Sequence, residues 1–432
     1  MLILSPNGVF ADYISHILPE LGEENIREMS FDLYAYKELR KGVSADCEDR
    51  YDQLERRMRF PDQESQDRFD WKQAKAFIGE IEGFLAVLED RLIEFKEVYF
   101  RGMTLTEEEM IELFYFKFTE TPLLNRMDAI KDYFIDSWET LNGRNISDDD
   151  QETLQMKFDK MYKTKDIYAI YNWMLEDCGC NLLPDVPYEK RKLPYEDVFP
   201  MLYLKYRLSG GNSTHKNIKH LVIDEMQDYS YLQYTILEML FHCRMTILGD
   251  RAQTLDTKQQ DVLRFLPKLL GREIRTIEIK KSYRNTLEIA RYAEKVSGVS
   301  DLELLDRHGK EVVEKTFNTD TELLDELVCH LKCPGDFETA ALITTTEEEA
   351  FDLSRLLKLR GINVSYVDRN SSAFKKGLTV TTFYLAKGLE FDQVFALRGA
   401  KENPLKNQAE YICATRALHE LYIYEITDSL SK

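Results

Sequence analysis

The sequence predicts an α/β protein with parallel sheets, interrupted by a long helical segment. After residue 200, short apolar runs alternate with helical stretches, which is typical of parallel strands covered by helices on both faces. Between residues 61 and 200, by contrast, glycine is sparse and apolar residues recur at helical spacing.

Length and composition limit the class of protein. The chain has 432 residues, which at roughly 150 residues per domain predicts about three structural units. With 44% apolar and 31% charged residues, it can form packed cores, and global disorder is excluded. The net charge of −20 argues against coating nucleic acid through charge alone, because Lys and Arg are needed to neutralise phosphates.

The compartment follows from cysteine usage and hydropathy. Seven cysteines are too few for a disulfide scaffold in a chain of this length, which favours a reducing cytoplasm. No apolar run approaches the roughly 18 residues that a membrane span needs. We therefore expect a soluble, cytoplasmic protein that has no membrane partner.

The first 200 residues differ in composition and predicted structure before and after residue 61. An apolar run at residues 1–5 predicts a buried strand, residues 9–21 have helical spacing, and residues 26–31 can form a second strand. The segment 61–200 holds 17 basic and 31 acidic residues, so most of the excess negative charge lies there. A solvated face is the ordinary interpretation of such charge.

The remainder of the chain alternates between predicted strands and helices. The apolar runs predict strands at 220–224, 245–249, 276–280, 340–344, 363–367, 378–382, 393–397 and 421–424. The helical stretches between them include 286–296, 347–359 and 407–418.

A pair of carboxylates, Asp224 and Glu225, ends the first of these strands. Ligands of α/β sheets bind at the carboxyl ends of the strands. Asp224 could hold a Mg²⁺ ion through its water shell, and Glu225 could orient and deprotonate a water. Two solvated acids in a turn are the alternative for the pair taken alone, but Gln227 and Asp228 follow closely and favour a motif.

Four further polar runs follow in order. The run 248–254 ends the next strand and places Gln253 where a terminal phosphate could be sensed. The runs 281–286, 382–392 and 411–417 come later in the chain. Their candidate functional residues are Arg284, Lys387, Gly388, Glu390 and Arg416.

Together, these runs resemble motifs II to VI of the superfamily 1 helicases of the UvrD/Rep type, in the same order. Residues 2–14 and 18–24 resemble motif Ia of one branch, the HelD proteins that bind bacterial RNA polymerase. The resemblance implies two RecA-like P-loop NTPase lobes, the first one incomplete, with ATP and Mg²⁺ between them and an all-helical insertion.

The resemblance also implies roles for individual residues. Asp224 and Glu225 would serve Mg²⁺ and the attacking water, and Gln253 would couple the phosphate to motion. Arg284 and Arg416 would reach across from the second lobe as arginine fingers, since a phosphoryl transition state needs fixed positive charge. A surface salt bridge is the alternative for either arginine.

The run 382–392 supplies the nucleotide contacts that the resemblance implies. Glu390 matches the position that contacts the ribose in the family, and Lys387 and Gly388 of the same motif are expected to help bind the cofactor. Tyr384 stands where many relatives have His.

The sequence departs from the family in its phosphate-binding loop. No Gly-x-x-x-x-Gly-Lys-Ser/Thr run occurs, although that loop cradles the β- and γ-phosphates. In the family it precedes motif Ia, which begins here at Met1. We therefore expect an N-terminally truncated member with weak or absent ATPase activity.

Two further departures favour the HelD branch over a DNA helicase. Residues 254–258 lack the aromatic that stacks a base in translocating helicases, a contact worth about 1–3 kcal/mol per base. Arg284 and Lys387 are 103 residues apart, which leaves no room for the large extra domain of UvrD-type enzymes.

The acidic segment gains a meaning from the resemblance. HelD proteins carry an insertion at this point that enters the main channel of the polymerase, and a net charge of −14 would complement that basic channel. We expect Asp148, Asp149 and Asp150 at the tip of the insertion. The residues Ser5, Pro6 and Asn7 of the motif Ia-like run are expected to contact nucleic acid or the partner.

These observations predict four regions and one preferred function. The first lobe comprises residues 1–60 and 201–275, the insertion 61–200 and the second lobe 276–432. The preferred function is ATP-driven remodelling of RNA polymerase or nucleic acid. A DNA helicase that translocates on single strands and a non-enzymatic module that binds polymerase are the alternatives.

Overall fold

The computed structural model of the chain describes most of its residues. The described residues are 1–5, 27–44, 47–211, 217–256, 262–271, 274–299, 302–332, 337–371, 376–399 and 403–427. The helix predicted at residues 9–21 lies outside them.

The described strands and helices largely alternate after residue 220, whereas helices dominate residues 31–209. The strands are β1 (Leu2–Leu4), β2 (Arg27–Met29), β3 (Val98–Phe100), β4 (Met103–Leu105), β5 (His220–Ile223), β6 (Arg244–Ile247), β7 (Lys281–Ser282), β8 (Glu303–Leu304), β9 (Val313–Phe317), β10 (Thr339–Thr344), β11 (Ser365–Tyr366), β12 (Gly377–Thr382), β13 (Phe391–Arg398) and β14 (Ala417–Ile426). The α-helices are α1 (Phe31–Leu39), α2 (Arg50–Arg59), α3 (Gln63–Lys72), α4 (Lys75–Leu92), α5 (Glu107–Glu112), α6 (Arg126–Asn142), α7 (Asp148–Asp159), α8 (Ile167–Asp177), α9 (Tyr195–Ser209), α10 (Tyr231–Leu240), α11 (Val262–Leu269), α12 (Leu287–Ser297), α13 (Asp320–Lys332), α14 (Glu347–Leu359) and α15 (Lys406–Arg416).

The first lobe is built on a four-stranded parallel sheet with the order β2-β1-β5-β6. Leu4 of β1 pairs with Ile223 of β5, which in turn pairs with Ile247 of β6. Because the strands are parallel and in this register, β1, β5 and β6 end at the same edge of the sheet. The loops after β5 and β6 therefore meet there.

The second lobe is built on a six-stranded parallel sheet with the order β11-β12-β10-β13-β14-β9. Its helix α14 covers the predicted range 347–359 and begins with a capping box, in which Thr346 and Glu349 satisfy each other's backbone N–H groups. The predicted α/β fold with parallel sheets is confirmed.

The segment between residues 61 and 200 is mainly helical, as predicted, but not entirely so. Its strands β3 and β4 pair as an antiparallel hairpin. Helix α4 buries Phe77, Ile81, Phe84, Leu88 and Leu92, which recur every three or four residues. These side chains belong to the same buried cluster as those of β1 and β5, so the helical segment and the first lobe share one hydrophobic core.

The strand predicted at residues 276–280 is absent from the structure. Ile277 and Ile279 are 69% and 82% exposed, and the nearest strand, β7, has only two residues and pairs with β8. Alternating apolar residues form a strand only where a neighbouring strand accepts their backbone hydrogen bonds. Only the Lys280 carbonyl at the end of the run is paired, accepting from the Glu303 N–H of β8 over 2.8 Å, and residues 276–279 have no partner strand among the described residues.

A buried ionic cluster joins three helices of the helical segment. Lys72 of α3 donates to Asp197 and Glu196 of α9, with Nζ–O distances of 2.6 and 2.9 Å. Tyr171 of α8 donates to the same Asp197 oxygen over 2.6 Å. Lys72 and Asp197 are each 2% exposed, so this cluster specifies how the helices pack.

Replacing Lys72 by Ala is expected to destabilise the protein by about 3–5 kcal/mol, because it leaves the Asp197 carboxylate buried without its cation. The free energy of unfolding in urea measures this loss. The control is Lys96→Ala, whose side chain is 64% exposed and pairs with Glu94, and the expected loss there is below about 1 kcal/mol. Equal losses in the two variants would contradict the assignment.

Candidate active site

The acidic loop after β5 is held by backbone hydrogen bonds from both neighbouring strands. The Asp224 N–H donates to Leu4 O over 3.1 Å, and the Met226 N–H donates to Leu248 O over 2.8 Å. Between them, Glu225 has a φ of 53° and a ψ of 50°, which lie in the left-handed region that residues other than glycine rarely adopt. Strained backbone of this kind is concentrated at functional sites.

The loop after β6 approaches the acidic loop closely. A Cβ on Gly249 would lie 2.4 Å from Gln227 Oε1 and 2.7 Å from the Met226 nitrogen, so only glycine fits. Asp250 then accepts from the Ala252 N–H over 3.0 Å and caps the short helix Arg251–Gln253. This turn directs Gln253 towards the second lobe.

Two arginines of the second lobe lie opposite these loops. Arg416, in the last turn of α15, donates to Gln253 Oε1 over 2.9 Å and joins the two lobes. Arg284 follows β7 and pairs with Glu390 over 2.7 Å. Gly388 has a φ of 84°, a conformation that glycine adopts without strain.

These residues line one cleft between the two lobes, with a volume of about 260 Å³. The sequence-predicted residues that line it are Asp224, Glu225, Gln253, Arg284, Gly388 and Arg416, and Gly249 and Asp250 complete the lining. The structure thus brings the carboxylate pair of the first lobe and the two arginines of the second lobe to a single cavity.

The electrostatics of the cleft suit a phosphate and a divalent cation. Burial, followed by the charge of Glu225, raises the pKa of Asp224, although Lys387 and Arg416 oppose this, and a cation bound there would stabilise the ionised carboxylate. Burial also lowers the pKa of Arg416, although Glu225 opposes this. The Arg416 Nε is buried without a hydrogen-bond partner among the described residues, which leaves a donor for an anion.

The described residues contain no group of three His, Cys, Asp or Glu side chains placed to hold a metal. Mg²⁺ commonly keeps several waters and uses only one or two carboxylates. Asp224 and its neighbour Glu225 therefore fit a hydrated Mg²⁺ ion rather than a cage of protein ligands.

Lys387 lies behind the cleft rather than in its lining. Its Nζ is 2.6 Å from Asp228 Oδ2 and 3.5 Å from Glu225 Oε2, and the side chain is 1% exposed. Glu225 also accepts a hydrogen bond from Gln227. The predicted contact of Lys387 with a cofactor thus stays a prediction, whereas its contact with the acidic loop is observed. Glu390 reaches the site through Arg284.

The residues predicted to bind nucleic acid or a partner do not lie in the cleft. Ser5 is 1% exposed, and Pro6 and Asn7 lie outside the described residues. Asp148 and Asp149 are exposed, and Asp150 pairs with Arg101 of the β3–β4 hairpin over 2.6 Å. All three acids occupy the first turn of α7, where negative charge stabilises a helix. Their predicted role at a tip stays a prediction.

Three residues that shape the site were not among the predicted ones. Asp228 accepts from Lys387, Asp250 orders the turn before Gln253, and the Tyr411 hydroxyl donates to Asp250 Oδ2 over 2.8 Å. Asp228 and Asp250 each lie three residues from a predicted residue, so proximity in sequence was the available signal. For Tyr411, the available signal was that it lies in the same motif-like run, 411–417, as Arg416.

Comparison with known proteins identifies the family of the chain. The model of the UvrD/REP helicase N-terminal domain matches residues 12–255, more than half of the chain. The chain belongs to the UvrD/REP helicase family. No curated protein matches it in sequence.

Two solved structures match parts of the chain. The C-terminal domain of a possible DNA helicase from Lactobacillus plantarum WCFS1 is 26% identical, and the match covers 34% of this chain and 89% of that one. The PRRSV helicase is 14% identical, and the match covers 60% of this chain and 45% of that one. The TM-score is 0.28 in both cases. Separately, none of the described helices is both long and apolar enough to cross a membrane.

Glu28 of β2 predicts a pH dependence near the site. Burial, with nearby Asp224 adding to it, raises the pKa of Glu28 from 4.5 to about 7. A raised carboxyl pKa favours the folded state at low pH, and this stabilisation is lost as the pH rises from about 4.5 through 7. Glu28→Gln is therefore expected to raise Tm relative to the wild type more at pH 8 than at pH 5.

Thermal unfolding followed by circular dichroism at the two pH values measures the effect. The exposed Glu120→Gln serves as the control for loss of one negative charge. A Tm difference between Glu28→Gln and the wild type that is equal at pH 5 and pH 8 would show that Glu28 does not titrate in this range.

Proposed function

We propose that this chain is a helicase-like remodelling protein of the HelD type, which couples ATP in the interlobe cleft to movement of its lobes. The supporting observation is that Asp224, Glu225, Gln253, Arg284 and Arg416, drawn from both lobes, line one cavity. Carboxylates on one wall and guanidinium groups on the other are what a Mg²⁺-bound triphosphate requires.

Each residue has a distinct part in this proposal. Asp224 holds the hydrated Mg²⁺, which would neutralise phosphate charge when bound. Glu225 orients a water and accepts its proton. Arg284 and Arg416 stabilise the charge that develops on the phosphoryl oxygens. Gln253 donates to Asp250 within the first lobe and accepts from Arg416 of the second lobe, so a change at the phosphate would be passed between the lobes.

Hydrolysis by this chain is proposed to be weak. The sequence has no glycine-rich phosphate loop with its lysine, which would supply the backbone N–H cradle. Glu225, moreover, is occupied by Gln227 and Lys387. Both features favour a site that binds nucleotide poorly.

The partner is proposed to be RNA polymerase, reached through the acidic helical segment. The segment carries a net charge of −14 and is joined to the first lobe by a common hydrophobic core. An acidic, rigid arm complements a basic channel that otherwise holds nucleic acid.

Replacing Arg284 by Ala is expected to weaken the binding of a fluorescent ATP analogue with Mg²⁺ about tenfold, because a charge-assisted contact to phosphate is lost. Arg360→Ala is the matched control, since both arginines are 45% exposed and each forms one close ion pair. Phosphate release by the wild type is expected to be close to that of Glu225→Gln, because hydrolysis by this chain is proposed to be weak. Equal affinities of the two arginine variants would contradict the nucleotide site.

Replacing Asp148, Asp149 and Asp150 together by Asn is expected to weaken polymerase binding at low and moderate salt, because three charges facing the basic channel are removed. The matched control replaces Glu107, Glu108 and Glu109 by Gln, since these exposed acids occupy the first turn of α5 in the same segment. Titration with labelled core polymerase measures both variants. Unchanged affinity of the Asn variant would remove the tip assignment.

Two alternatives lead to different results. A DNA helicase would separate strands without polymerase, but Thr254 and Leu255, which follow Gln253, are buried and not aromatic. A non-enzymatic module would bind polymerase without any nucleotide effect, and the missing phosphate loop favours it. A phosphate-release rate well above that of Glu225→Gln would exclude this module.

A further inference from the structure

Helix α2 is encoded with the first lobe but packs into the second. Its buried side chains Tyr51, Leu54 and Met58 are spaced three and four residues apart. All three belong to the hydrophobic cluster that contains the loops and strands of the second lobe. The helix therefore leaves its own lobe to complete the core of the other.

A buried hydrogen-bond centre fixes this contact. Glu55 of α2 is 7% exposed, and its Oε1 accepts from the Tyr384 hydroxyl over 2.6 Å and from the Glu347 N–H over 2.7 Å. The Tyr384 ring stacks on Tyr51 with their centroids 5.1 Å apart. Tyr384 is 1% exposed, so it serves α2 rather than an external ligand.

An arginine fork holds the beginning of α2 against the beginning of α14. Arg369 of the second lobe lies 2.6 Å from Asp52, 3.1 Å from Asp49 and 2.8 Å from Glu347. Each of these pairs is partly shielded from solvent, and the guanidinium group engages three carboxylates at once. Such a network fixes orientation more firmly than a single surface pair.

The other side of α2 reaches the acidic loop of the cleft. Arg50 lies 3.3 Å from Asp228 Oδ2, the same oxygen that Lys387 contacts. Lys387 lies three residues after Tyr384, and it contacts Asp228 of the acidic loop after β5. The helix is thus tied to both walls of the site, through Arg50 on one side and Tyr384 on the other.

Only residues 60–62 separate α2 from α3, the first helix of the acidic segment. We propose that α2 is a mechanical link, in which Glu55 and Tyr384 act as positioning residues that pass lobe movement to the helical segment. This inference rests on the proposed function for its nucleotide-driven part. When the second lobe moves, α2 moves with it, and α3 follows because the connection is short.

Hydrogen–deuterium exchange of the full chain tests the link. Tyr384→Phe keeps the ring stack but removes the hydroxyl, so exchange is expected to become about tenfold faster in residues 50–59 and faster also in 63–72. The matched control is Tyr422→Phe, which removes a tyrosine hydroxyl bonded to Glu420 elsewhere in the second lobe. Faster exchange confined to residues 382–390, or equal effects of the two variants, would overturn the link.

A second pair of variants separates positioning from mere packing. Glu55→Gln retains an oxygen that accepts from Tyr384 and Glu347, so exchange close to the wild type is expected. Glu55→Ala is expected to match Tyr384→Phe. If Gln and Ala give the same increase, the acceptor at position 55 does not position α2 and the proposal fails.

Adding MgATP distinguishes failure of the link from failure of the proposed function. In the wild type, slower exchange is expected in residues 224–228 and a change in 63–72, whereas Tyr384→Phe retains the first effect and loses the second. Equal changes in 63–72 in both proteins would overturn the link alone. If MgATP changes nothing in 224–228 of the wild type, the nucleotide site fails, and the link is decided by the nucleotide-free comparison.

Discussion

One buried carboxylate, Asp228, holds the two lobes in register. It accepts from Lys387 of the second lobe over 2.6 Å and from the Leu255 N–H over 3.1 Å, and Arg50 lies 3.3 Å away. Although burial disfavours its charge, Lys387 and then Arg50 lower the pKa of Asp228. An unpaired charge at such depth would cost several kcal/mol, so the lobes stay together around this pair. The cleft depends on the pair of Asp228 and Lys387, because Glu225 of the lining lies three residues before Asp228 and Gly388 directly follows Lys387.

The chemistry of the cleft follows from the way each wall is built. Parallel strands end at one edge, which places the acidic loop beside the turn that holds Gln253. The opposing charge comes from Arg416 in the last turn of α15 and from Arg284 in the short connection between β7 and α12. The chain belongs to the UvrD/REP helicase family, whose motifs are also the source from which these residues of the cleft were predicted.

The elements with strong local patterns could be predicted, and those that depend on neighbours could not. The helix 347–359 was predicted to the residue because Thr346 and Glu349 cap it and its apolar residues recur regularly. Strand β9 was missed, since it carries Glu314 and Lys315 within an edge strand and lacks a buried run. The opposite error occurred at 276–280, where an apolar pattern found no partner strand among the described residues. For the site, the helicase-like motifs named most of the residues that line the cleft, but not Gly249 or Asp250.

By itself, the sequence determined the α/β class and the acidic helical segment, because these depend on local periodicity and charge. Its resemblance to the helicase motifs named most of the residues that line the cleft. Only the tertiary structure decided that α2 completes the core of the second lobe and that Tyr384 donates to Glu55. It also decided that Lys387 faces Asp228 instead of the cavity. These contacts join residues more than 150 positions apart. Local patterns do not encode such pairings, since they join segments that are distant in the sequence and meet only in the folded chain.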